Sequence, residues 1–412
     1  MKHNVLPTVI TAFFILASCS SKSDRSSIDS EIYFSIAREY VSAGEPEKAL
    51  MEIDKAINAD PKNLAVYFLK CETQAGIGRF DEAFKTIENL DKRLPAEKKY
   101  LKDHWLGVVY FHKNDLAKAA EHFITSSLKS PDFAGNYQSL GQVYTLLREP
   151  EKSIENYVRW TALEPESDHA WGQLGIAYVS AKMFDKAKEA LDKALAINKT
   201  SAEAYNYLGT WAMEQNRWSE AETYFKKSIK LNSSNPFANL NYGQYLMLKN
   251  RSGEAYPYLK KAYDLKPDVV YTLFWLGKYR QLKKEYKEAY RLFERAVELD
   301  PSFWAARRVI ADVSLESGED VQKTVKIMQD GIANDPHNQK AYLFYIARLK
   351  LEQNDPEAAL DYANKTLTLL DKSAVREIAD VHNLKGRIYE KLGQPDKAGL
   401  KREKVPSAQL PP

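Results

Sequence analysis

Apolar residues recur along most of this chain at the spacing of short amphipathic helices, and polar turns interrupt them at regular intervals. The pattern returns close to every 34 residues, and one clean copy reads Tyr137, Leu140, Gly141, Tyr144, Ser153, Tyr157, Trp160, Pro165. About ten copies run from Ser30 to Lys372. Each copy predicts two helices joined by a tight turn, so the expected fold is all-α, an α-solenoid or superhelix of about ten stacked helical hairpins. Arrays of this kind bind other proteins far more often than they perform chemistry.

The register follows from small residues. Counted from Ser30, the eighth position of each unit reads Ala37, Cys71, Gly107, Gly141, Gly175, Gly209, Gly243, Gly277, Ala311 and Ile346. Twelve residues on stand Ala49, Ala83, Ala119, Ser153, Ala187, Ala221, Ala255 and Ala289, then Thr324 and Ala358. Small side chains at two facing positions let helices approach closely. Between the helices lie Gly44, Gly78, Asn114, Asn216, Asn250, Gly318 and Asn354, residues that tolerate the left-handed conformation ending a helix. Arg148, Lys182 and Lys284 share that slot and suit it less well. Pro61, Pro95, Pro131, Pro165, Pro267, Pro301 and Pro336 close units, whereas Pro46, Pro150 and Pro395 open second helices. The ninth unit holds an extra residue around Gly318 to Gln322, expected in a turn.

This skeleton resembles the tetratricopeptide repeat family over roughly Ser30 to Lys372. A weaker eleventh copy follows in His382, Gly386, Tyr389, Gly393 and Ala398, so residues 373–405 are expected to be a partial repeat or capping helices, with a disordered tail at 406–412. In this family the first helix of each hairpin lines the concave side, and unit positions two, five, nine and twelve face the groove. The resemblance places Phe237, Leu240, Gln244 and Met247 there in the seventh unit, and Tyr271, Phe274, Lys278 and Gln281 in the eighth. Gln138, Gln142, Asn206, Thr210 and Arg308 join them from the fourth, sixth and ninth units. Amides among apolar side chains suit an extended peptide, since amides bond its backbone while pockets take its side chains.

At the amino end, Lys2 precedes an apolar run from Val5 to Leu16 and then Leu16-Ala17-Ser18-Cys19. The run is too short to span a bilayer. It resembles a bacterial lipoprotein signal peptide over residues 1–18, which implies lipidation of Cys19. Ser20 stands where an inner-membrane retention signal would have Asp, so the resemblance implies the outer membrane, at its periplasmic face. Residues 19–29 are polar and Ser-rich, and are expected to form a flexible tether of at most about 35 to 40 Å.

Composition removes other function classes. Lys and Arg number 59 against 56 Asp and Glu, a formal charge of +3 that falls to +2 when Lys2 leaves with the signal peptide. The charges are interleaved along helices, so no basic stripe for nucleic acid is expected. Phosphate-cradling, metalloprotease and serine-hydrolase motifs are missing, and no catalytic residue, cofactor or small-molecule substrate is expected. Cys71 is read as a buried core residue, and His104, His112 and His122 as surface or groove histidines without metal-ligand spacing. The expected function is a non-catalytic adaptor for other envelope proteins or peptides, held to the membrane by its lipid. The lipobox followed by repeats is also similar to type IV pilus assembly lipoproteins, through segments such as Asn241-Tyr242-Gly243 and Glu254-Ala255-Tyr256. An adaptor for cell-wall hydrolases or polysaccharide export is a further alternative.

Overall fold

The computed structural model describes residues 22–397, which form helices joined by turns and short irregular stretches, with no strand among the described residues. The chain divides into two compact units, Met1–Tyr207 and Leu208–Pro412. In the first, the order is α1 (Lys22–Ser42), α2 (Pro46–Ala59), α3 (Leu64–Gly76), α4 (Phe80–Asp91), α5 (Tyr100–His112), α6 (Leu116–Lys129), α7 (Ala134–Leu146), α8 (Pro150–Leu163), α9 (Asp168–Ser180) and α10 (Phe184–Ile197). Helix α11 (Ala202–Glu214) carries the division. The second unit continues with α12 (Trp218–Leu231), α13 (Pro236–Leu248), α14 (Ser252–Leu265), α15 (Val270–Leu282), α16 (Tyr286–Leu299), α17 (Trp304–Ser317), α18 (Val321–Asn334), α19 (Gln339–Glu352), α20 (Pro356–Thr368) and α21 (Val375–Lys391). Successive helices pair as hairpins, as the 34-residue period predicts.

The turn inside each hairpin has one construction. The residue in the turn slot takes a left-handed conformation throughout, including Arg148, Lys182 and Lys284, each at φ 59°. After α9, the Lys182 N–H donates to Val179 O and the Met183 N–H to Tyr178 O, both at 2.9 Å. That double closure satisfies carbonyls the helix end leaves without partners. The same pair of bonds follows α5, where Asn114 and Asp115 donate to Phe111 and Tyr110. A side chain other than Gly or Asn in this slot carries a steric cost of roughly 1 kcal/mol or more.

Packing within the hairpin explains the small eighth residue. A Cβ at Gly107, Gly175, Gly209, Gly243 or Gly277 would lie under 3.0 Å from Phe123, Leu191, Phe225, Leu259 or Phe293, in each case a large residue sixteen positions later. The partner helix presses its bulk into the gap left by the missing side chain. The facing alanines Ala49, Ala83, Ala119, Ala187, Ala221, Ala255 and Ala289 are fully buried.

The tenth unit corrects the register read from sequence. Asn354 is the left-handed residue (φ 58°), and elsewhere that residue falls seven positions after the small one, as from Gly277 to Lys284. The small residue is therefore Ala347, not Ile346, and its facing alanine is Ala359, fully buried, not the half-buried Ala358. Two separate insertions cause the shift. Asp320 adds a second left-handed residue (φ 42°) beside Gly318, where the extra residue was expected, and a 3-10 turn, Pro336–Asn338, adds another. The 3-10 turn Ala96–Lys98 marks the other long spacing, from Cys71 to Gly107.

Helix α1 begins at Lys22, inside the segment expected to be an extended tether, because no Gly or Pro between Lys22 and Ser30 interrupts the helix. Residues 1–21, with Cys19 and the expected signal peptide, lie outside the described residues, as do residues 398–412. No helix among the described residues is long and apolar enough to cross a membrane. Helix α21 packs Val381, Leu384 and Ile388 against Ala359 and Ala363 of α20.

Candidate partner groove

The positions expected to face a groove lie on the first helix of each hairpin. In the first unit Gln138 and Gln142 on α7 are half-buried, while Asn206 on α11 is buried, with Thr210, in the second unit, half-buried one turn later. In the second unit Phe237 on α13 is 46% exposed and Tyr271 on α15 is 55% exposed. Lys266 lies 5.4 Å from the Phe237 ring centroid, and the Tyr271 ring is 5.2 Å from that of Phe303. Gln244 is half-buried, Lys278 donates to Gln281 Oε1 at 3.2 Å, and Arg308 on α17 is exposed.

Three of the expected groove residues are buried instead, and Phe274 is half-buried. Leu240 and Met247 are only 5% and 8% exposed, because α13 packs against α15 of the next hairpin as well as its own partner α14. Phe274, on α15, packs against the core, 5.9 Å from Phe293 and 5.4 Å from Phe303. Asn206 is 2% exposed. A rule of positions names the stripe without saying how far the neighbouring hairpin covers it.

Sequence reading missed two polar networks. In the first unit the Glu203 carboxylate lies 2.7 Å from His169 Nδ1, accepts from Tyr207 OH at 2.6 Å, and accepts from Gln173 Nε2 at 3.1 Å. Gln173 also donates to Tyr207 OH at 2.9 Å. The signal was available: His169 and Glu203, and likewise Gln173 and Tyr207, are one 34-residue period apart, so identical positions of successive units face each other. In the second unit Glu222 accepts from Tyr245 and Arg251 and pairs with Lys226, tying α12 to α13 and the turn before α14. The Lys226 contact, followed by the Arg251 and Tyr245 bonds, outweighs burial and brings the Glu222 carboxyl down to about 2.

The His169–Glu203 pair predicts a pH dependence. The hydrogen bond to Glu203 raises His169 above its usual 6.5 against the effect of burial, so this stabilisation is full below pH 6.5 and lost as pH rises through the folded value. Burial works to raise Glu203, but the His169 and Tyr207 bonds prevail and lower it below 4.5, so its contribution is lost as pH falls. The pair therefore stabilises most between pH 4.5 and 6.5. His169→Gln, which keeps a donor but no charge, is expected to lower the denaturant midpoint more at about pH 5.5 than at about pH 8.5. Equal losses at both would show that the charge contributes nothing. Both side chains are partly exposed, so added salt should shrink the difference.

With this geometry in place, comparisons with known proteins locate repeat units along the chain. Tetratricopeptide repeat models match residues 202–235 and 270–303, and a second such model matches 30–63, 168–201 and 238–269. The chain carries tetratricopeptide repeats. No curated protein matches it by sequence. Among solved structures, a human IFIT1 dimer with PPP-AAAA is 16% identical, covers 83% of this chain and 90% of its own, and overlays at a TM-score of 0.52. A tetratricopeptide repeat protein from Parabacteroides merdae is 15% identical, with 69% of this chain and 98% of its own covered at 0.45. Pseudomonas aeruginosa pilF is 17% identical, with 52% and 97% covered at 0.38. The IFIT1 likeness is one of fold.

Tetratricopeptide repeats imply a protein–protein interaction scaffold, and Cys71 and His104 are buried in its core. Burial pushes the Cys71 thiol up to about 12, which leaves no thiolate to react. His104, expected at the surface or groove, is instead buried against Phe123 and Phe133, bonded to Asn136 Oδ1 at 3.0 Å, and held down at about 4 by burial. His122 stacks on Tyr110. Among the described residues no group of His, Cys, Asp and Glu is arranged to hold a metal ion. The recurring aromatic at the fourth position also braces the turn before its helix, since Tyr137 OH donates to Pro131 O and Trp171 Nε1 to Pro165 O, six residues back. Arg307 takes over that position in the ninth unit and donates to Pro301 O from Nη2 at 2.8 Å.

Proposed function

We propose that this chain is a membrane-anchored, non-catalytic adaptor of the bacterial cell envelope. It is lipidated at Cys19, held at the periplasmic face of the outer membrane, and uses its repeat groove to gather other envelope proteins. The observation that carries the binding role is the second unit's groove stripe, where Phe237, Tyr271 and Arg308 stay exposed on successive first helices. Large aromatics at such positions act as anchors when a ligand desolvates them. The anchor rests on Leu16-Ala17-Ser18-Cys19 and the short apolar run before it.

Cys19→Ala is expected to move the protein from the membrane to the soluble fraction with unchanged helical circular dichroism, because the hairpins pack without the acyl chain. Full membrane retention of the variant would remove the lipid anchor from this reading. Crosslinked pull-down from intact cells tests the groove with Phe237→Ala/Tyr271→Ala. Capture should weaken by about 2 kcal/mol with little change in melting midpoint, and unchanged capture would move the partner site elsewhere. The captured partners, whether pilus secretin components, wall hydrolases or polymer-export proteins, assign the pathway.

A further inference from the structure

Beside the exposed aromatics, the second unit holds two arginines that make no ion pair among the described residues. Arg308 is exposed and has no hydrogen-bond or ion-pair partner among the described residues. Arg348, on the facing stripe of α19, lies over ring faces alone, 5.3 Å from the Tyr345 centroid and 6.0 Å from that of Phe344. A guanidinium stacked on a ring keeps its N–H edge free for a planar acceptor. The acid between them is already occupied: Asp312, one turn after Arg308 on α17, accepts from Tyr345 OH at 3.1 Å and is half-buried. Arg348 lies over the ring of the same Tyr345 that donates to Asp312, and α17 packs against α19, so the two arginines flank one carboxylate.

Phe344 connects this pair to a cavity. A half-open space of about 260 Å³ is lined by the apolar Trp304, Ala341, Phe344, Leu370 and Val381 together with Asn338 and Thr366. An apolar cavity of about 150 Å³ accepts benzene, so this one admits a side chain of leucine or phenylalanine size. Its lining also holds Asp380 and Lys340, the latter paired with Glu377 at 3.0 Å, so an acid is favoured only at the arginine end.

We propose that α17 and α19 bind an extended peptide segment carrying an apolar side chain close in sequence to an internal Asp or Glu, the first in the cavity and the second between Arg308 and Arg348. This deepens the groove reading above and rests on it, by naming the partner's chemistry. A half-open, largely apolar cavity beside two arginines fits such a segment better than a nucleic acid, which needs a basic track and open stacking faces.

The test is selection of a displayed random-peptide library on the full chain, followed by titration of a selected peptide synthesised with both ends blocked. Enriched sequences should share an apolar residue near Asp or Glu. Arg308→Gln/Arg348→Gln should weaken that peptide about tenfold or more while leaving the melting midpoint in place, and Ala341→Trp, which fills the cavity, should weaken it separately. Enrichment with no acidic preference, or binding indifferent to the arginine variant, would overturn this inference and leave the groove reading standing. Failure to enrich any peptide would overturn the groove reading itself. Binding of a single-stranded RNA oligonucleotide, lost in the arginine variant, would assign these side chains to phosphate and overturn the peptide inference.

Discussion

Ala359→Asp is expected to lower stability by about 3 to 5 kcal/mol, while Ala358→Asp, one residue earlier, changes it by less than about 0.5 kcal/mol. Ala359 is fully buried in the core of α20 with Ala363, Val381 and Ile388. A carboxylate there loses its hydration and gains no cation. Ala358 is half-buried in the first turn of α20, where Asp355 Oδ1 accepts from its N–H at 3.2 Å. Negative charge in a first helical turn is favourable, which offsets any lost packing. Denaturant titration of the two variants decides the register, and hydrogen exchange should rise in α19, α20 and α21 for the first alone. The opposite ranking would restore Ile346 and Ala358 to the repeat frame.

Gly141→Ala is expected to cost about 1 to 3 kcal/mol although alanine is ordinarily the better helix former. The added methyl group would meet three ring atoms of Tyr157 at under 3.0 Å. That ring has little room to yield, since Tyr157 is 2% exposed and packs against Trp160. Gly253→Ala, in the first turn of α14, meets nothing within 4 Å and should be neutral or stabilising. Adding Tyr157→Leu to Gly141→Ala should recover part of the loss, and a double variant that merely sums the two single losses would place the strain elsewhere.

Much of this fold is legible because its physical constraints repeat. A left-handed turn, a close helix approach and a proline stop each restrict residue choice, and each returns at a fixed spacing, so Arg148 or Lys182 is recognisable from its neighbours in the series. The tenth unit misleads because Ile346 and Ala347 are adjacent and both fully buried, and the 3-10 turn at Pro336–Asn338 has no separate signature in the sequence. The groove is legible only as a stripe. Whether Phe237 stands exposed or Phe274 sinks against Phe303 depends on the next hairpin, two helices away in the chain. The His169–Glu203 pair hides for the opposite reason: each residue looks like an ordinary surface charge until the two are aligned by the period.

Within each unit, α11 aside, the helices touch those that directly precede and follow them in the chain. The sequence distance between contacting residues is therefore short, and loop closure costs little entropy at any step. Such a chain can begin to order at any hairpin and extend by accretion, and it can come undone at one end while the remainder persists. Its resistance to a protease or to mechanical pulling is then graded along its length, and a damaged hairpin sacrifices its immediate neighbours before it sacrifices the rest.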